Sequence, residues 1–546
     1  MNRLTRFLAA LGLALTLTVA ARAENPDGKG PGSRPCCKPC GECGRAGVGE
    51  GTATNDASYW NFLSGRLEQR VVLSTGHHGL ALAELALQYS NAYMPLSVAR
   101  DFGDRWGLNL GGYVQNAADG SDALHYCAFD NQPVRFVPSG AGVYHSYPER
   151  AYSLRKSAAG DAWVMTDAYG KKLVFADWRT EANGVRYLRL LERHEPGKVG
   201  VRCVYDGDRL ARVVRADDGR TLFALHYQTA ATGGALCEKI TDHGGRVVAS
   251  FAYDARELLT GVYHGDAAEA TPRCAFAYDE NHNMTQKTRA NGGVVRYAWS
   301  GGRANFLERA DLADGTFIKV DRAESGGVEK VVVTNRDGGK TEFTRLPYEE
   351  KFTEAKYPSG RRVRRAYDAD NQLVEENGAC PSCDGGKSVV ARHVYDGQRR
   401  LVETKYYNAQ NQYLASEKFA YHEDTGAYAS VTAKDGAVTR YEHDAAGRQT
   451  KVVHPDGSAR QTAYAPEGLV VSETDELGRV TRYEHAADSV TRVDPDGART
   501  VTTLDAMGRV LSVTAPDGTV TTSAYDAMGH LAARTTAKGE IGRAHV

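Results

Sequence analysis

Ten cysteines are the most reactive side chains of this 546-residue chain. Cys36, Cys37, Cys40 and Cys43 crowd into one Gly/Pro-rich stretch, and Cys380 and Cys383 bracket a Pro-Ser pair. Four thiolates at this spacing suit a tetrahedral zinc site. A lone C-x-x-C suits thiol–disulfide exchange when a βαβ unit presents it, and no such pattern surrounds Cys380. In an oxidising compartment the same pairs suit local disulfides. The leader described below points to export. Disulfides therefore rank first, with Cys380 and Cys383 as the disulfide candidates and zinc at Cys36, Cys37, Cys40 and Cys43 as the alternative. Cys127, Cys203, Cys237 and Cys274 stand singly in strand-like runs.

Other chemistry-bearing residues read as structural. His77 and His78 lie in STGHHGL with no acid at ligand spacing, which is expected of an exposed turn. Asp368 with Asp370, and Asp494 with Asp496, resemble fragments of calcium loops but lack the third oxygen position and the distal Glu. Asx turns are the expectation there. Nucleophile-elbow, zinc-protease and phosphate-loop motifs are absent from any usable context. Trp60, Trp106, Trp163, Trp178 and Trp299 could stack on sugars, but scattered tryptophans more often fill local cores. The expectation is a protein that is not an enzyme, with no catalytic residue, no resident metal and no cofactor.

The elements that carry these residues are turn-rich strands. Gly numbers 58 and Pro only 17, and Tyr outnumbers Phe by 29 to 14. Formal net charge is -1, which gives no electrostatic footprint for nucleic acid and no basic anchor for a membrane surface. Residues 1–23 have the form of a bacterial secretory signal: Arg3 and Arg6, an apolar run from Phe7 to Ala20, then Ala21-Arg22-Ala23. The run is too short for a spanning helix, so no membrane span is expected after cleavage. The mature protein is expected in the periplasm, at the cell surface or outside the cell. Residues 24–57 read as a Gly/Pro/Cys-rich linker, and 58–197 as a β region that precedes repeats.

From 198 to 539 the chain repeats. The glycines Gly436, Gly457, Gly478, Gly497, Gly518 and Gly539 recur at 19–21 residues, and Gly447, Gly468, Gly508 and Gly529 fall between them. Two adjacent units read PDGARTVTTLDAMGRVLSVTA and PDGTVTTSAYDAMGHLAARTT. Each holds two runs rich in Val, Thr and Tyr, and each run ends in a turn that needs a cheap positive φ. One repeat is therefore two strands and two tight turns. The expected structural residues are Asp456, Gly457, Asp496, Gly497, Asp505, Gly508, Asp517, Gly518, Tyr525, Asp526 and Gly529. Looser copies begin at Tyr205, Tyr253, Tyr278, Tyr367 and Tyr395, in the form Y-D-x-x-(G/N/R)-x-L.

A lone hairpin cannot bury a face, so hairpins are expected to stack edge to edge. In TVTTL and TVTTSAY both faces are polar or small, which predicts a curved, water-lined wall rather than a packed barrel. The iterated motif resembles the bacterial YD-repeat, or Rhs-repeat, family. The segments L-A-L-Q-Y-S-N (85–91), F-G-D-R-W (102–106) and F-D-N-Q-P-V-R-F (129–136) resemble the region that precedes the repeats in that family. The resemblance implies an all-β fold whose antiparallel hairpins spiral into a hollow shell. It also implies a partner, the chain's own C-terminal effector region, enclosed or presented for toxin delivery or contact-dependent competition. Cell-surface glycans are the alternative partner, for an adhesin. Residues 540–546 break the repeat in mid-unit, and their codons can contain a common sequencing adapter. They are expected to be an artefact, and the chain an N-terminal fragment without the family's C-terminal core and effector region.

Overall fold

The computed structural model describes residues 45–47 and 57–543, apart from short internal stretches of which 92–99 and 379–388 are the longest. The leader, the clustered cysteines Cys36, Cys37, Cys40 and Cys43, and the pair Cys380 and Cys383 lie outside the described residues. Every regular element among the described residues is a β-strand, and no helix there is long and apolar enough to cross a membrane.

Two sheets make up the molecule. The smaller runs in chain order through Arg45–Gly47, Ala57–Asn61, Arg66–Ser74, Leu85–Ser90 and Trp106–Leu108. The larger starts at Tyr113–Asn116 and pairs neighbour with neighbour, antiparallel, to Gly539–Arg543. Its first strands curl into a ring. Tyr187, Leu188 and Arg189 pair with Gln115, Val114 and Tyr113, so the strand Arg186–His194 returns to the beginning of the sheet. The same strand hands on at its other end, where Glu192 and Arg193 pair with Arg202 and Val201. The ladder leaves the ring there and winds on as a spiral shell, so strand pairing is continuous across position 198.

The spiral overlaps itself, and hairpin tips of the later repeats rest on tips of the earlier ones. The Gly197 N–H donates to the Gly468 carbonyl at 2.8 Å. Arg220 reaches Asp488 Oδ1 at 2.7 Å and the Ala487 carbonyl at 3.1 Å, 268 and 267 positions away in sequence. A Cβ on Gly170 would stand 2.8 Å from the Gly447 carbonyl oxygen, and Gly79 packs on Gly508. These contacts form a seam between successive coils.

The core corrects one expectation. The interior is not water-lined throughout. The small sheet packs against the shell strands between Val201 and Val363 in one continuous apolar cluster. Trp60 and Trp106 are fully buried in it, Phe102 meets Phe251 edge-on at 5.2 Å, and Trp106 tilts onto Phe276 at 4.8 Å. The expectation of a wet wall came from the C-terminal units, where it holds in TVTTSAY but not throughout TVTTL, whose Thr500 and Thr502 are buried. In the strand Tyr413–Tyr421 the successive residues Tyr413 and Leu414 point to opposite faces, and they are 58% and 54% exposed.

His77 corrects another. It is fully buried rather than in an exposed turn. Its Nε2 is 2.9 Å from Ser74 Oγ, and its ring stands edge-on to Phe223 at 5.6 Å. Of the remaining tryptophans, Trp163 is buried, Trp299 is partly buried against the core, and Trp178 is 37% exposed under the Arg186 guanidinium.

Candidate functional site

The functional unit is the wall itself, and its chemistry begins at Asp505. This carboxylate opens a D-x-x-G-R turn. Its Oδ1 accepts the N–H groups of Met507 and Arg509 at 2.9 Å each, and its Oδ2 accepts Arg509 Nε at 2.6 Å. Gly508 sits at φ 75°, where a Cβ is unfavourable, and its N–H donates to the Asp505 carbonyl. One aspartate thus satisfies the donors that the turn leaves without a ladder partner. Asp444, Asp475 and Asp526 repeat the arrangement, the last with His530 in the arginine's place. Bonds from Arg479 and the turn N–H groups hold the Asp475 carboxyl below the usual carboxylate range.

The other turn type has Asp directly before Gly. Asp456, Asp496 and Asp517 accept the N–H two residues on, at 2.9, 3.0 and 2.9 Å, and Gly457, Gly497 and Gly518 take positive φ. Asp368 and Asp370 lie in a turn of the first type, with Asp368 Oδ1 bridging the N–H groups of Asp370 and Gln372. In earlier repeats the glycine slot holds Glu257, His282, Asn371, Arg399 or Asn411, each at φ between 61° and 65°. Such left-handed residues cost roughly 1–2 kcal/mol each, less for Asn.

The tyrosine ahead of the aspartate links one repeat to the one before. Tyr525 donates its hydroxyl to the Val510 carbonyl at 2.9 Å, and the Arg509 guanidinium lies over its ring at 5.1 Å. Val510 and Arg509 are the exit of the previous D-x-x-G-R turn. The same latch joins Tyr227 to Leu210 and Arg209, Tyr421 to Leu401 and Arg400, and Tyr464 to Gln449 and Arg448. Tyr278 and Tyr395 make the hydroxyl bond to Leu259 and Leu373. Trp299 and His485 do the same work with ring N–H groups, on Met284 and Val470. Recurrence of Tyr is visible in sequence. Its acceptor on the preceding turn is not, because that carbonyl carries no side-chain signature.

The smaller sheet adds a clamp that sequence reasoning missed. The F-G-D-R-W segment grips successive shell turns. Arg105 donates to the Asn281 and His282 carbonyls at 2.9 and 3.0 Å and to Asn283 Oδ1 at 2.7 Å. Asp104 is 2.9 Å from His282 Nδ1, and Trp106 Nε1 donates to Tyr278 Oη at 2.8 Å. The Cys237 N–H reaches the Asp101 carbonyl at 2.7 Å. Burial raises the Asp101 carboxyl to about 7, against the opposing effects of Tyr227 and Arg209. Cys127, Cys203, Cys237 and Cys274 are buried thiols that form no disulfide. Burial pushes the Cys127 thiol up to about 11, so it is protonated and inert at neutral pH.

The RHS repeat family model matches residues 425–459, 485–520 and 505–541. Residues 425–541 thus carry RHS repeats. Among curated relatives, the toxin protein Tse5 of Pseudomonas aeruginosa is 24% identical over 258 residues, 46% of this chain and 18% of the relative. Among solved structures, TcdB2-TccC3 without its hypervariable C-terminal region superposes with a TM-score of 0.44 at 11% identity, over 84% of this chain and 27% of that one. The Photorhabdus luminescens Tc holotoxin pore gives 0.34 at 11% identity, over 84% and 26%. The chain thus spans 18% of the length of the curated relative it matches and 27% of the first of these structures.

Proposed function

We propose that this RHS-repeat chain is exported and builds part of a hollow shell that encloses or presents its own C-terminal effector polypeptide, in toxin delivery or contact-dependent competition. The role is structural, without chemistry of its own. One observation carries the reading: the small sheet fills the first coil, whereas the wall after Leu401 keeps side chains exposed on both faces. A wall wetted on its inner face leaves room for a second polypeptide. The toxin name of the Tse5 relative supports the same direction.

The test uses the gene read past the codon for Lys538 and its whole product. Limited proteolysis of the native protein is expected to spare the downstream segment until the wall is denatured. A downstream segment cut as fast in the native as in the denatured protein would sink the enclosure. Export is checked by N-terminal sequencing of the mature protein, with cleavage expected after Ala23. A second reading, glycan adhesion, draws on the exposed Tyr413 packed edge-on against Tyr407 at 5.9 Å. Reproducible glycan-array hits that Tyr413→Ala abolishes would favour it.

A further inference from the structure

The latch position ahead of Asp444 holds His443 instead of Tyr. In neighbouring repeats the latch donates to the first carbonyl of the preceding strand, as Tyr421 does to Leu401, Tyr464 to Gln449 and His485 to Val470. The corresponding acceptor for His443 is Tyr428, the first residue of Tyr428–Thr432. His443 does not make that bond. Its Nδ1 is buried without a hydrogen-bond partner, and its ring stands edge-on to His422 at 5.2 Å. His422 is itself committed, with Nε2 2.9 Å from the Tyr441 carbonyl oxygen.

The pair sits at the coil seam. The turn that His443 enters, 444–448, touches the earlier coil through Gly447 against Gly170. Tyr169 from that earlier tip interacts with Tyr428 and Tyr441, and Lys172 with Asp444 and Arg448. The groups facing the imidazoles are therefore Asp444 and Arg448 on the same hairpin, Tyr421, Tyr428 and Tyr441 beside it, and Tyr169 and Lys172 across the seam. Asp444 alone favours a charged His443, and its own carboxylate is already bonded to Arg448.

We propose that His422 and His443 form an acid-weakened latch, the point at which the wall and its seam open first when the pH falls. A charge on His443 would be desolvated and would stand beside a second imidazole already committed to the Tyr441 carbonyl. Burial, then His422, lowers His443 from 6.5 to about 4. The folded state thus prefers the neutral ring. The stability that the neutral His443 ring contributes is fully present above the unfolded value of 6.5 and is lost as pH falls through that value toward 4.

Hydrogen exchange of the full chain, corrected for the chemical rate, tests this on peptides covering 422–448. Peptides covering 495–525, which contain no histidine, serve as the internal reference. Between pH 7.5 and pH 5.0 the full shift corresponds to about thirty-fold more opening, and solvent screening of a partly exposed ring brings the expectation to about tenfold. The His443→Tyr variant restores the latch residue and should be protected at both pH values. His443→Gln, neutral throughout, should exchange equally at both and serves if the tyrosine variant does not fold. Equal opening of 422–448 and 495–525 in the wild type would overturn the proposal, as would an unchanged pH response in either variant.

Discussion

The strands between Val201 and Val363 and those between Leu401 and Thr536 obey one turn grammar but are stabilised differently. Both use an aspartate to satisfy turn donors, and both use an aromatic latch onto the preceding turn. The small sheet packs across the whole of the first set but, among the described residues, meets the second only at Met507 and the turns of Gly508 and Gly529. In the first set, alternate side chains are apolar and buried, as in Val328–Thr334 with Val331 and Val333 at zero exposure. In the second set few side chains are fully buried, as in Gln449–Val453 and Val510–Thr514, where none is. The same local motif can therefore clothe a packed core or stand as a wall, because strand pairing and turn closure are satisfied within each repeat. What differs is the source of stability: burial of apolar area in one set, backbone pairing and polar ladders in the other.

The largest effect that separates the two regions is a core truncation. Trp106→Ala should cost about 3–5 kcal/mol, because it empties the site between Tyr89 and Phe276. Leu511→Ala in the wall should cost less than about 1 kcal/mol. Chemical denaturation of both variants measures the contrast, and equal losses would break the comparison.

Glycines sharpen it next. Gly529 and Gly518 have similar φ, 85° and 80°. A Cβ at 529 collides with the Thr75 carbonyl, whereas one at 518 meets open space. Gly518→Ala should therefore cost about 1 kcal/mol from backbone strain. Gly529→Ala should cost more than that and loosen the seam, seen as faster exchange in 66–91. Similar exchange in the two variants would mean that the seam carries no load.

Removing the latch hydroxyl comes third. Tyr278→Phe orphans both the Leu259 carbonyl and Trp106 Nε1, and a cost of roughly 2–3 kcal/mol is expected. Tyr525→Phe removes the bonds to the Val510 carbonyl and the Ser523 side chain in a half-buried site, and should cost about 1 kcal/mol.

Acidity should move the two regions in opposite directions. Burial holds the folded Asp101 carboxyl near 7, above its ordinary 3.8, so the ionised form is disfavoured in the closed clamp. The clamp is expected to tighten as pH falls from 8 toward 5, while the hairpin at His443 loosens. Exchange in 85–108 against 422–448 reads both at once, and a common sign would contradict the assignment. The smallest effect is a gain. Asn411→Gly relieves a left-handed residue in an exposed turn and should add a few tenths of a kcal/mol.

Much of this was legible in the chain. The glycine spacing, the β-branched runs between breakers and the D-x-x-G and D-G turns announced an all-β hairpin array, and the structure has it. Reading Asp505 and Asp526 as turn residues needed only local chemistry, since their partners lie within four positions. His77 departs from its local pattern for the opposite reason. Its Gly-flanked neighbourhood looks like a turn, but its burial comes from Phe223, nearly 150 positions away. The F-G-D-R-W segment was visible as a motif while its grip on turns 279–283 was not.

The sequence by itself determined the period, the strands and the turns, because each is closed by bonds between residues near in the chain. Only the tertiary structure decided which faces are dry, where the ring closes, and which tips meet across the seam. Those depend on contacts such as Arg220 with Asp488 or Gln69 with Tyr297, more than two hundred positions apart. No local pattern of side chains encodes the curvature that brings such residues together.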